Sequence, residues 1–83
     1  MRVKVIKIKD NEGYERKDDY SKKRLNEVGY IYHLKVGDCL IFKYENKFKD
    51  HPFMLTTAVK NIIEDERFLD VITERSVYKF KKM

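Results

Sequence analysis

The chain opens with Arg2-Val3-Lys4-Val5-Ile6-Lys7-Ile8-Lys9, where apolar and basic residues alternate with the period of two expected of a strand with one buried face. The alternation changes phase between Val5 and Ile6. Val3 and Val5 share one side, and Ile6 and Ile8 share the other. A β-bulge at that step would return all four to a common core, and bulges of this kind accompany the curvature of small barrels. Asp10-Asn11-Glu12-Gly13 then supplies turn chemistry. Tyr30 to Leu34 is β-prone, and Val36-Gly37-Asp38 reads as a turn. After it, Cys39-Leu40-Ile41-Phe42 is a continuous apolar run, read as a strand buried on both sides and continued by Lys43-Tyr44. Glu45 to Asp50 is charged and leads into a loop at His51-Pro52. Phe53 to Ile63 is the longest β-prone run, with a polar hairpin tip at Glu64-Asp65-Glu66-Arg67. Phe68–Thr73 and Ser76–Lys82 follow as strands on either side of a tight turn at Glu74-Arg75.

Residues 10–36 carry the weakest pattern. Asp18 and Asp19 can cap a helix over Tyr20–Val28, with Leu25 and Val28 on one face and Gly29 ending it. Two turns of helix with three adjacent cations is marginal, so an irregular loop remains the alternative.

Five or six short strands with a long connection after the first predict a mainly β fold. A flat sheet of this size would leave exposed edges and an apolar face, whereas closure removes most of both. The order of elements fits a small SH3-like barrel of five to six strands, with an OB-like barrel as the alternative. In the SH3-like arrangement the first and last strands are neighbours. Arg2, Lys4, Lys7 and Lys9 would then lie beside Lys79, Lys81 and Lys82 in one positive patch. No repeat, low-complexity segment or internal boundary divides residues 1–83, so one domain is expected.

Composition narrows the function classes. Six Tyr and five Phe among 83 residues require a packed interior, which excludes a disordered tail. No apolar run is long enough to span a membrane, and Met1-Arg2-Val3-Lys4 lacks the apolar stretch of a signal peptide, so a cytoplasmic protein is expected. Cys39 is the only cysteine, which excludes an intramolecular disulfide. His33, Cys39 and His51 lack the paired spacing of a structural zinc site, and the acidic stretch Asp10–Asp19 lacks the spacing of a calcium loop. Ser76 has no glycine elbow, Asp70 and Glu74 have no indicated cleft, and three glycines provide no phosphate-cradling loop. The expectation is a non-enzymatic protein without metal or cofactor.

The formal charge of +5 favours an anionic partner. Both ends of the chain are basic and free of acids. Lys22-Lys23-Arg24 forms a separate cationic triplet that could grip a phosphate or an acidic surface, or simply be solvated. Aromatics interleave with cations around Tyr30, Tyr32 and Tyr44, and Tyr78 and Phe80 alternate with Lys79 and Lys81. That pattern suits single-stranded nucleic acid, whose bases stack on aromatic rings and whose phosphates meet Lys and Arg. It equally suits aromatics that fill a core while lysine stems run outward. On the first reading Tyr30, Tyr32 and Tyr78 are the stacking candidates.

Val36-Gly37-Asp38, Leu55-Thr56-Thr57-Ala58-Val59 and Val71-Ile72-Thr73-Glu74-Arg75-Ser76-Val77-Tyr78 together resemble a group of small uncharacterised proteins from bacteriophages and mobile elements of Firmicutes. Thr57 stands where serine is usual in that group. Arg75 stands where asparagine, a residue tolerant of left-handed backbone, is usual. The resemblance covers the C-terminal half and implies a small β-barrel of bacterial or phage origin, with no binding residues to carry over. The expected function is a binding module that contacts nucleic acid through the patch formed by the two terminal strands. The alternative is a protein-binding module, or a phage-encoded inhibitor of a bacterial enzyme, docking on an acidic protein surface. A small anionic nucleotide is a third kind of ligand. A homodimer would enlarge so small a core.

Overall fold

In a computed structural model the chain forms β1 (Arg2–Asp10), α1 (Asp19–Arg24), β2 (Val28–His33), β3 (Cys39–Tyr44), β4 (Phe53–Glu64), β5 (Phe68–Thr73) and β6 (Ser76–Lys82). The structure describes residues 1–46 and 52–83, so most of the expected 45–51 loop, with His51, lies outside the described residues. Each strand pairs antiparallel with the next, and β6 closes onto β1. An even number of strands allows such a barrel to close with every neighbour antiparallel. The expected mainly β barrel is therefore present with six strands. Its strictly sequential order departs from the five-stranded Greek key of an OB barrel and puts the first strand beside the last.

The expected bulge is also present. Val5 lies opposite Phe80 and Lys7 opposite Lys79, so β1 advances two residues where β6 advances one. Ile6 is the inserted residue and is half-buried, while Val3, Val5 and Ile8 all reach the core. On the other edge of β1, Val5 N–H donates to Glu27 O at 2.9 Å, and Asn26 N–H donates to Val5 O at 2.7 Å. Beyond the bulge β2 no longer runs beside β1. The returning chain takes its place: Arg16 N–H donates to Ile8 O at 2.9 Å and Asp10 N–H to Tyr14 O at 2.8 Å. These bonds cover the β1 edge on both sides of the bulge.

The helix is shorter than the pattern predicts. Asp18 caps it, its carboxylate accepting from Ser21 N–H at 3.0 Å and from the Ser21 hydroxyl at 2.9 Å. It ends at Arg24, because Leu25 is extended and Asn26 takes a left-handed φ of 67° that turns the chain back toward β1. Val28 and Gly29 belong to β2, not to the helix. Gly29 is needed there for space: a Cβ at this position would meet the Lys43 carbonyl oxygen and lie 2.6 Å from Phe42 Cζ. Gly37 takes φ 98° in the turn before β3, and its N–H donates to Val59 O at 2.9 Å.

The core comprises Val3, Val5, Ile8, Leu40, Phe42, Tyr44, Met54, Val59, Leu69, Val71, Tyr78 and Phe80. Phe42 is its hub, with ring centroids 5.2 Å from Tyr44 and 5.7 Å from Phe80. β3 is not buried on both sides as its apolar run suggests. Leu40, Phe42 and Tyr44 point inward, while Cys39 and Ile41 lie half-covered on the outer surface. The Glu74-Arg75 turn needs no left-handed residue, since among the described residues only Asn26 and two glycines have positive φ. Thr73 locks it instead: its hydroxyl accepts from Ser76 N–H at 3.1 Å and donates to Ser76 O at 2.9 Å.

Two outcomes are expected. Gly29→Ala should destabilise the barrel by at least the roughly 1–3 kcal/mol of overpacking, read as a lower urea midpoint, because backbone and an aromatic ring both stand in the way. Acid should also weaken it. Backbone N–H groups of Phe68 and Arg67 lower the Asp65 carboxyl, the Ser21 hydroxyl and N–H lower Asp18, and the Arg2 guanidinium lowers Glu45. Depressed carboxyls contribute fully above their ordinary values of 3.8 for Asp and 4.5 for Glu, and that contribution is lost as pH falls through the lower folded values. Asp65→Ala should accordingly lower Tm at neutral pH, with the gap to the parent protein shrinking in strong acid.

Candidate functional site

Strand parity and the bulge decide which lysines share the outer wall. On β6 Tyr78 and Phe80 point inward, so Val77, Lys79 and Lys81 point outward. On β1 Lys4 is outward before the bulge, and Lys7 and Lys9 are outward after it. Lys4 lies directly opposite Lys81, and Lys7 directly opposite Lys79. By strand geometry, columns of ammonium-bearing residues stand about 5 Å apart, with successive outward positions about 7 Å apart along each strand. Like charges directly opposite one another destabilise a sheet, so this doubled column opposes folding.

Lys7, Lys9, Lys79, Val77 and Asp70 line a shallow groove of about 60 Å³ on this wall. Asp70 lies opposite Lys79 on β5, and one of its carboxylate oxygens is buried without a hydrogen-bond partner among the described residues. Glu15 approaches Lys7 at 3.7 Å. Two carboxylates thus face five lysines, and the wall stays cationic. Phe68 lies opposite Lys81 at its β5 border, and Lys79 Nζ stands 4.8 Å from the Phe68 ring centroid.

The remaining sequence-derived candidates fall elsewhere. Arg2 is held by Glu45, its Nε and terminal amino group donating at 3.0 and 2.9 Å, and Tyr30 donates its hydroxyl to the same carboxylate at 3.3 Å. Lys82 pairs with Glu64 and donates to Asp65 O, so it serves the β4–β5 hairpin. Lys22 and Lys23 are exposed on α1. Arg24 is not a surface cation: it is only 8% exposed and its guanidinium carbon lies 3.3 Å from the Tyr20 ring centroid. Tyr78 is not a stacking platform either, being a core residue at 8% exposure. Tyr32 is 68% exposed and meets the Phe53 ring edge-on at 5.5 Å. With Ile41 and Leu55 these two rings form a separate apolar patch.

The termini therefore meet as expected and bring together Lys4, Lys7, Lys9, Lys79 and Lys81. Arg2 and Lys82 lie on the same strands but are occupied by ion pairs, and the α1 triplet does not line the groove. Phe68 and Asp70 belong to this wall; the sequence pointed to Asp70 only as an acid–base partner for Glu74, and Phe68 was not among the candidates. Their signal was the alternation of β5, which places both outward. His33 pairs with Asp38 at 3.0 Å, and no cluster of metal-ligating side chains occurs among the described residues. No helix among them is long and apolar enough to cross a membrane. Comparisons with family models, curated proteins and solved structures find no match to this chain.

Relieving the repulsion should be measurable. Lys81→Glu places a carboxylate opposite Lys4 and should stabilise the barrel by about 0.3 kcal/mol, or roughly 1–2 °C in Tm. The gain should shrink as salt is added.

Proposed function

We propose that the protein is a non-enzymatic binding module that captures single-stranded nucleic acid on the β1–β6 wall. The observation that carries this reading is the pair of lysine–lysine oppositions, Lys4 with Lys81 and Lys7 with Lys79. A soluble barrel gains nothing in stability from setting ammonium groups against each other, whereas a phosphate chain laid between the columns neutralises both. Phe68 at the border offers an aromatic edge to a base. The groove has no dense array of directional donors, so recognition would rest on charge and stacking rather than base sequence.

The second reading, a protein-binding module or a phage-encoded inhibitor of a bacterial enzyme, draws on the patch of Tyr32, Ile41, Phe53 and Leu55, where Leu55 is 58% exposed. Such a patch suits the apolar centre of a protein interface.

Fluorescence anisotropy with labelled oligo(dT) and oligo(U) across a salt series tests the proposal. Binding should weaken with a log–log slope of about −0.7 for each lysine engaged, and Lys81→Glu should lower affinity about tenfold and flatten the slope. Leu55→Ser should leave it unchanged. Absence of binding at low salt, or binding indifferent to Lys81→Glu, would overturn the proposal.

A further inference from the structure

β4 changes partners along its length. Through Ala58 it pairs with β3, and from Val59 it pairs with β5. On the β5 side, residues 53–57 have no strand beside them, and a cavity of about 400 Å³ opens at this seam. Its walls are β4 at Thr57, the β5–β6 turn at Arg75 and Ser76, and α1 with the segment before it. The volume falls within the roughly 300–1,000 Å³ of small-molecule sites, and barrel mouths commonly hold such sites.

Three arginines reach this cavity from separate stretches of chain: Arg16, Arg24 and Arg75. Among the described residues Asp18 is the only carboxylate in the lining, and its charge is already engaged by the helix cap and by Arg16 Nε at 3.3 Å. Arg16 also donates to the Ser76 hydroxyl at 2.8 Å, which ties the α1 approach to β6 and fixes the arginine in place. Arg24 is held by the Tyr20 ring and by the Tyr44 hydroxyl. Arg75 makes no ion pair among the described residues. The lining thus sets three arginines against one carboxylate in a partly enclosed space, and two of the three arginines are pre-organised. The planar donor fork of arginine matches phosphate oxygens in a way lysine does not. Tyr20, itself exposed, gives the same cavity an aromatic ring, and Thr57 contributes a buried hydroxyl with no hydrogen-bond partner among the described residues.

We propose that this cavity is a binding site for a small phosphate ester of nucleotide size, its phosphate held by Arg16, Arg24 and Arg75 and its ring against Tyr20. The site shares no residue with the lysine wall and stands independently of it. Isothermal titration at moderate salt, with nucleoside 5′-monophosphates, ribose 5-phosphate and adenosine as separate probes, tests it. A monophosphate should bind, ribose 5-phosphate should bind more weakly and adenosine should give no heat. Arg75→Ala, an exposed change outside the core, should weaken the monophosphate about tenfold without lowering Tm. Lys81→Glu should leave that affinity unchanged. The proposal is overturned if no monophosphate binds at about millimolar concentration, if Arg75→Ala binds as the parent does, or if Lys81→Glu abolishes binding equally.

Discussion

One inserted residue in β1 organises the molecule. A strand sends successive side chains to opposite faces, so a run that changes phase must either bury charge or expose its apolar residues. With Ile6 taken up as a bulge, Val3 and Val5 before it and Ile8 after it all enter the barrel. The same shift places Lys4, Lys7 and Lys9 on one outer wall. Regular pairing would turn Lys7 and Lys9 into a core built around Phe42 and Phe80, where unpaired ammonium groups cannot be held. The apolar interior and the cationic surface are therefore two consequences of one backbone irregularity. Its backbone demand is met locally, because Glu27 and Asn26 bond Val5 from the β2 side.

Charge on the outer surface follows from where the acids lie. At the rim of the β1–β6 ladder, Arg2 and Lys82 each have a carboxylate partner, Glu45 and Glu64 respectively. Within the ladder, register alone sets Lys4 against Lys81 and Lys7 against Lys79. Asp70 relieves one column from β5, with one oxygen buried and unpaired, and Glu15 reaches in from the loop. The residual repulsion is a small cost spread over several exposed side chains, which a barrel with a contiguous aromatic core tolerates. It is also an asymmetry that a bound polyanion would remove.

The sequence carried the strands, the bulge and the meeting of the termini, because all three rest on period-two alternation and turn chemistry. Tyr78 was legible too: the alternation that sends Lys79 and Lys81 outward sends Tyr78 inward, and its sequence neighbourhood of lysines obscured this. Gly29 was less accessible. It follows a helix and resembles a C-cap, yet its requirement comes from Lys43 and Phe42 on a strand paired only in the fold. Arg24 reads in sequence as the end of a cationic run, whereas three-dimensional packing stacks it on Tyr20 and buries it. No linear pattern joins Arg16, Arg24 and Arg75. They meet because β4 is long enough to leave β3 for β5 and open a seam between them.

The two basic regions differ in physical kind. Lysines on the β1–β6 wall are flexible, hydrated point charges, and binding there would release counterions and tolerate many sequences. At the seam Arg16 and Arg24 are held by a hydroxyl, a ring and the helix-cap carboxylate, so the donors of these two are already oriented and little of their side-chain freedom remains to be lost, while Arg75 stays exposed. Screening by salt acts strongly on the first and weakly on the second, since the seam is partly enclosed. β6 connects them, with Ser76 in the cavity wall and Lys79 and Lys81 further along the same strand. A ligand at the seam would therefore touch the strand that carries two of the five lysines of the wall. The antiparallel pairing of β6 with both β1 and β5 makes that strand too constrained to move alone, so any coupling would act on the ladder as a whole.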